Sequence, residues 1–95
     1  MQAGDFVAEQ TEMRKIFLQR NEKYGDSFDK LYNELGALSG ACQMFHKMQR
    51  ILTLSKAEQT EENLKSLLDS CEDLGNYATM TAVKIRQQLD KEILG

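Results

Sequence analysis

The sequence contains no proline and no tryptophan, and its six glycines leave long stretches without a residue that breaks helices. It also lacks any run of alternating β-branched and aromatic residues that is long enough to predict a strand. The 95 residues are enough for one domain and too few for two. We therefore expect a single all-α domain over residues 1–95.

Membrane and export signals are missing as well. There is no stretch of about 18 apolar residues, and the first ten residues show no basic region followed by an apolar one. We expect no membrane association, no secretory signal and a cytoplasmic location.

Metal-ligating and basic residues are scarce. One histidine (His46) and two distant cysteines (Cys42 and Cys71) argue against a zinc site and a disulfide scaffold, so both cysteines are expected to be buried as small apolar residues. The net charge of −3 argues against general nucleic-acid binding, which needs a positive surface.

The composition is otherwise that of a folded protein, with 41% apolar and 28% charged residues. A chain of this size can build only a limited core. We therefore expect it to work as a homo-oligomer.

Two helices are predicted in the first part of the chain. The first runs from about Asp5 to Glu22 and ends near Tyr24–Gly25, and Asp26 is expected to cap a short second helix that Gly36 ends. The side chains expected to form the apolar stripe of the first helix are Phe6, Met13, Ile16 and Phe17, edged by Arg20, and those expected to point inward from the second are Phe28, Leu31 and Leu35.

A third helix is predicted over about Ala37–Leu54. Its expected packing side is the apolar row Leu38, Ala41, Phe45, Met48 and Leu52, spaced three and four residues apart. At 100° per residue Gln43, Lys47 and Arg50 fall together on nearly the opposite side.

The last helix is predicted to begin at Thr60, whose hydroxyl can cap it, and to reach about Lys91. The short connection Ser55–Gln59 predicts an antiparallel pair, which completes a compact bundle of three main helices and one short helix. The expected core row of the last helix is Leu64, Leu67, Leu68, Cys71, Gly75, Ala78, Ala82, Ile85 and Leu89. Its polar row is Asp69, Asp73, Asn76 and Met80, with Tyr77 at the edge.

The two polar rows could line one cleft. Such a cleft would suit a phosphorylated ligand, with Lys47 and Arg50 on phosphates and Tyr24 or Tyr77 stacked on a base. The alternative is that the cations form salt bridges to the neighbouring helix. Asp69 and Asp73 could bind Mg²⁺, or they could belong to a solvated face.

Three segments carry a resemblance to a known family: Asn21–Lys30 with its YGDSF motif, Lys47–Arg50, and Asp69–Met80 with its DLGNYATM motif. In this order and spacing they resemble the nucleotide modification associated helical domain of phages and bacteria, over nearly the whole chain. The resemblance implies an all-helical fold, a phage or bacterial setting in nucleotide metabolism or DNA modification, and a distant similarity to the helical nucleotide pyrophosphohydrolases. The motif residues it carries over are Tyr24, Asp26, Ser27, Lys47, Arg50, Asp69, Asp73, Asn76 and Tyr77.

Two positions depart from the family pattern. His46 stands where relatives tend to have an acid before the lysine, and Lys65 stands where they tend to have a glutamate. A magnesium-dependent hydrolase would need these carboxylates, whereas a protein that only grips an anionic nucleotide would not.

The departures favour a non-catalytic protein that needs no cofactor and binds a nucleotide or a cyclic (oligo)nucleotide signal. Such a protein would be phage-encoded, would lie in the host cytoplasm and would sequester the signal as an anti-defence sponge. Its expected ligand-binding residues are Tyr24, Asp26, Ser27, Lys47, Arg50, Asn76 and Tyr77. The alternative is a magnesium-dependent pyrophosphohydrolase, or an accessory protein of nucleotide or DNA base modification, with Asp69 and Asp73 on the metal. A purely structural helical partner is the third hypothesis.

Overall fold

A computed structural model describes residues 1–94 of the chain, and the side chains of residues 1–92. It contains four helices: α1 (Ala3–Tyr24), α2 (Ser27–Leu35), α3 (Ala37–Ser55) and α4 (Glu61–Leu94). The described part of the chain has no strand. The predicted all-α class is therefore confirmed, with helices close to the predicted bounds.

Two glycines end the first two helices. Gly25 and Gly36 have φ values of +63° and +65°, a left-handed conformation that side chains disfavour. The N–H of Gly25 donates to Asn21 O at 2.8 Å, and that of Gly36 donates to Tyr32 O at 2.6 Å. Each glycine thus closes the last turn of one helix and redirects the chain into the next.

Of the two capping predictions, one is confirmed and one is wrong. Thr60 caps α4 as predicted, since its Oγ1 accepts a hydrogen bond from the Asn63 N–H at 3.1 Å. Asp26 precedes α2, but its carboxylate makes no capping hydrogen bond, so that prediction was wrong. The Asp26 carboxylate instead lies 3.6 Å from Lys30 Nζ, one turn further along.

Small residues bring α3 and α4 together as an antiparallel pair. Ser39 and Gly40 of α3 and Ser70 and Thr81 of α4 are buried. A Cβ added at Gly40 would come within 3.0 Å of Thr81 Cβ. The two helix axes therefore approach closely, with small side chains between them.

The two predicted apolar rows do not form this contact. Phe45 and Leu38 of α3 are 66% and 62% exposed, and the α4 row is also largely outside. The members of that α4 row that the structure exposes are Leu64, Leu68, Cys71, Ala78, Ala82, Ile85 and Leu89. The predicted orientation was wrong because the close approach of the axes uses the small and polar residues of the opposite sides.

Three related expectations also fail. Cys42 and Cys71 are exposed, not buried. On α2 the buried side chain is Tyr32, 4% exposed, while Leu31 and Leu35 are exposed. On α1, Phe6 is exposed, whereas Met13, Ile16 and Phe17 are half-buried as expected. Among the described side chains Tyr32 is the one large apolar group that is buried.

α1 and α2 lie against the α3–α4 pair through specific polar contacts. The Asn76 side-chain amide donates to Met13 O of α1 at 3.0 Å, and the Tyr32 hydroxyl of α2 donates to Gln88 Oε1 at 2.8 Å. Lys84 Nζ lies 3.2 Å from Asp29 Oδ1. Over residues 1–94, no helix is both long and apolar enough to cross a membrane.

Candidate functional site

All four helices contribute to one cleft with a volume of about 610 Å³. The bend at Gly25 between α1 and α2 forms one wall, and α3 with α4 forms the floor. The cleft is lined by Phe17, Arg20, Asn21, Tyr24, Gly25, Ser27, Phe28, Leu31, Gln43, Lys47, Asp73, Asn76, Tyr77 and Met80.

Three charged side chains meet in the floor of the cleft. Asp73, 8% exposed, accepts a hydrogen bond from Arg20 Nη1 at its Oδ1 atom, and Lys47 Nζ lies 3.0 Å from its Oδ2 atom. Two cations and one carboxylate leave a formal charge of +1. Arg20 is half exposed, so part of its guanidinium remains open to a ligand.

Aromatic rings line the other part of the cleft. Tyr24 is 61% exposed at the rim, where Lys23 Nζ lies 5.4 Å from its ring centroid. The Phe28 ring lies 6.5 Å from the Tyr77 ring, with the planes tilted by 34°. A planar ring entering the cleft would therefore meet aromatic surfaces from α1, α2 and α4.

The structure brings most of the predicted ligand-binding residues together. Lining the cleft are Tyr24, Ser27, Lys47, Asn76 and Tyr77. The side-chain amide of Asn76 also has a structural task, because it donates to the backbone of α1.

Two predicted residues lie outside the cleft lining. Asp26 is exposed and faces Lys30, one turn further along the chain. Arg50 Nε donates to Ser70 Oγ at 3.2 Å, so this side chain holds α3 against α4 beyond the cleft.

The two aspartates that were predicted to bind Mg²⁺ lie in different surroundings. Asp73 lines the cleft and already contacts two cations, whereas Asp69 is exposed and outside the lining. Over the described side chains, no group of three or more histidine, cysteine, aspartate or glutamate residues has a geometry that could hold a metal ion.

Arg20 was not predicted as a site residue and was assigned to the edge of an apolar stripe. A signal for it was present, because Phe17, Arg20 and Tyr24 are spaced three and four residues apart and so share one side of α1. The guanidinium reaches Asp73, which lies 53 residues away in the sequence. Only the packing of α1 on α4 reveals that partner.

A second charged cluster lies between α1 and α4. A hydrogen bond with Glu9, burial, and the negative charges of Glu9, Asp69 and Glu12 raise the pKa of Glu72 from 4.5 to about 7. Glu72 is 8% exposed, and Oε1 of Glu9 is buried beside it. Below a pH of about 7, Glu72 therefore carries a proton.

The chain matches no family model, no curated protein and no solved structure.

Proposed function

We propose that this chain binds a nucleotide or cyclic (oligo)nucleotide in the cleft and holds it without chemical conversion, as a homo-oligomeric, phage-encoded protein that sequesters the ligand. The observation that carries the proposal is the combination of Arg20 and Lys47 in the floor with Tyr24 and Tyr77 beside them. Phosphates need cations, and bases need flat apolar surfaces.

The charge and size of the cleft support this ligand class. Small-molecule sites commonly have volumes of about 300 to 1,000 Å³, and the cleft has about 610 Å³. A phosphate near Arg20 and Lys47 would compete with Asp73 for the same hydrogen-bond donors. We therefore expect contact through the exposed part of Arg20 first, with Ser27 and Asn76 as further polar partners.

Binding without conversion is favoured by the environment of Asp73. Both carboxylate oxygens face cations, so a magnesium ion at Asp73 would have to displace Arg20 and Lys47. The acids that the resembled family tends to have at two further positions are His46 and Lys65 in this chain, so those carboxylates are not available for a metal. The alternative of a magnesium-dependent pyrophosphohydrolase, or of an accessory protein in base modification, would need that displacement.

Calorimetry with a panel of nucleoside mono-, di- and triphosphates and cyclic dinucleotides tests the proposal. Tyr24→Ala and Lys47→Met should each weaken binding by about tenfold or more. Lys65→Met is the matched control and should leave binding unchanged, because Lys65 is exposed and pairs with Glu61 outside the cleft. Tyr24 is exposed, so its replacement should not disturb folding.

Recovery of the ligand separates holding from hydrolysis. After incubation with magnesium and heat denaturation of the protein, the nucleotide should be recovered intact. Release of monophosphate and pyrophosphate, lost in Asp73→Asn, would instead establish the hydrolase. Absence of any thermal shift across the panel would contradict both activities.

A further inference from the structure

One side of the α3–α4 pair is apolar and has no partner among the described side chains. We call it the apolar face; its residues are Ala41, Phe45, Met48 and Leu52 of α3 and Cys71, Ala78, Ile85 and Leu89 of α4, with Leu38 and Leu64 at its edges. All of these residues are exposed. It contains no charged residue.

The α3 part of this face follows from the contacts between the helices. Gly40 and Lys47 mark the side of α3 that faces α4, through Thr81 and Asp73. Each following residue lies 100° further round the helix. Ala41 and Met48 therefore point to one flank of the pair.

The α4 part lies on the same flank. Ser70 and Tyr77 lie on the side of α4 that faces α3 or the cleft, and the following residues are Cys71 and Ala78. Because the helices are antiparallel, a step of one residue turns to the same flank on both. The preceding residue, such as Asn76, turns instead toward α1. The apolar face is thus continuous across the pair and lies away from the cleft.

The size of the face approaches that of a stable interface. Its large side chains, those at the edges included, are roughly half exposed, and together they form an apolar patch on the order of several hundred Å². A standard interface uses about 800 Å² from each partner, and patches of several hundred Å² on a protein surface mark interaction sites.

The poor core of the chain points to a copy of itself as the occupant. Tyr32 is the one large apolar side chain that is buried among the described residues. A chain with so small a core gains stability from a partner that buries its exposed apolar side chains, and a second copy of the same chain is always available where it folds. The small residues Ala41, Cys71 and Ala78 alternate with large ones such as Phe45 and Ile85, which lets two such faces interdigitate about a two-fold axis.

We propose that two copies of this chain pack through their apolar faces, so that two α3–α4 pairs form a four-helix core at the centre of a dimer. The interface is isologous, because each copy presents the same surface to the other. This proposal does not depend on the ligand of the cleft.

Sedimentation velocity over a wide concentration range tests the proposal. The 95-residue chain should sediment as a dimer of 10.9 kDa chains. Phe45→Glu and Ile85→Glu should each raise the dissociation constant by at least about 30-fold. Leu18→Glu on α1, with an exposure between those of Phe45 and Ile85 but off the face, should not change it. A chain that stays monomeric at all concentrations would overturn the proposal, even if that monomer binds lipid vesicles. A dimer that persists in both glutamate variants would also overturn it.

The two cysteines give a test that needs no variant. Cys71 lies in the apolar face, whereas Cys42 lies outside it on α3, and both are exposed in the single chain. In the dimer Cys71 should react with a maleimide at least about tenfold more slowly than Cys42, and dilution below the dissociation constant should remove the difference. Equal reactivity at high concentration would overturn the proposal even if a glutamate variant failed to fold.

Discussion

Lys47 Nζ of α3 lies 3.0 Å from Oδ2 of Asp73 on α4, and Arg20 of α1 contacts the other oxygen of the same carboxylate. One buried aspartate thus joins three helices and sets the charge of the cleft floor. We therefore expect the loss of this carboxylate to lower stability and to raise the affinity for an anionic ligand.

Asp73→Asn should lower the free energy of unfolding by about 1 to 2 kcal/mol, because two cations lose their ionised partner. It should also strengthen the binding of an anionic nucleotide by about tenfold, because the floor gains a unit of positive charge. Urea unfolding and calorimetry measure the two effects. Asp69→Asn, exposed and outside the cleft, is the matched control. Weaker nucleotide binding by a folded Asp73→Asn protein would contradict the assigned role of the floor.

Gly40→Ala should destabilise the protein by about 1 to 3 kcal/mol, because the new methyl group would lie 2.9 Å from Thr81 Cγ2 and 3.0 Å from its Cβ. Thermal or urea unfolding measures the loss. Gly75→Ala is the control in the same fold, since its methyl group would meet the flexible end of Met13. Adding Thr81→Ala to Gly40→Ala should recover part of the stability; an equal loss in both glycine variants would mean that the helices do not need this close approach.

Glu72 should make the protein less stable as the pH rises from about 4.5 to about 7. Its pKa is raised to about 7 in the folded chain from 4.5, so the folded state holds the proton more tightly and loses that advantage as the pH rises. The loss should be about 1 to 3 kcal/mol. Urea unfolding at pH 5 and pH 8 measures it.

Glu72→Gln keeps a donor toward Glu9 and should flatten this pH dependence, with higher stability than the unchanged chain at pH 8. Glu62→Gln, at an exposed position, should leave the dependence as it is. Parallel pH profiles for the Glu72→Gln protein and the unchanged chain would show that another group is responsible.

Asn76→Ala should loosen α1, because it removes the hydrogen bond from the side-chain amide to Met13 O. The expected cost is about 1 kcal/mol, with faster hydrogen exchange along α1 and unchanged exchange across α3. Thr79→Ala is the comparison variant, because the Thr79 hydroxyl donates to Gly75 O within α4. Unchanged exchange in α1 would show that other contacts hold it.

The sequence was sufficient for the helices and for part of the cleft. Gly25, Gly36 and Thr60 mark boundaries through local backbone chemistry, which needs no knowledge of tertiary packing. Lys47 and Tyr77 were recognised because their spacing places them on the polar rows.

The sequence was insufficient for the direction of packing. Phe45 was assigned to the core on the rule that apolar rows face inward within one chain. That rule fails here because Gly40 and Thr81 permit a close approach of the axes on the other side. Arg20 was missed because its partner, Asp73, lies on another helix, and the sequence does not show how α1 packs on α4.

The cleft and the apolar face lie on opposite sides of the α3–α4 pair. Two chains joined back to back would therefore present their openings outward, in opposite directions, with no wall in common. Each opening would fill from bulk solvent on its own, so the assembly would take up one guest molecule for every chain, and a large cyclic guest would have to fit within the walls of a single subunit.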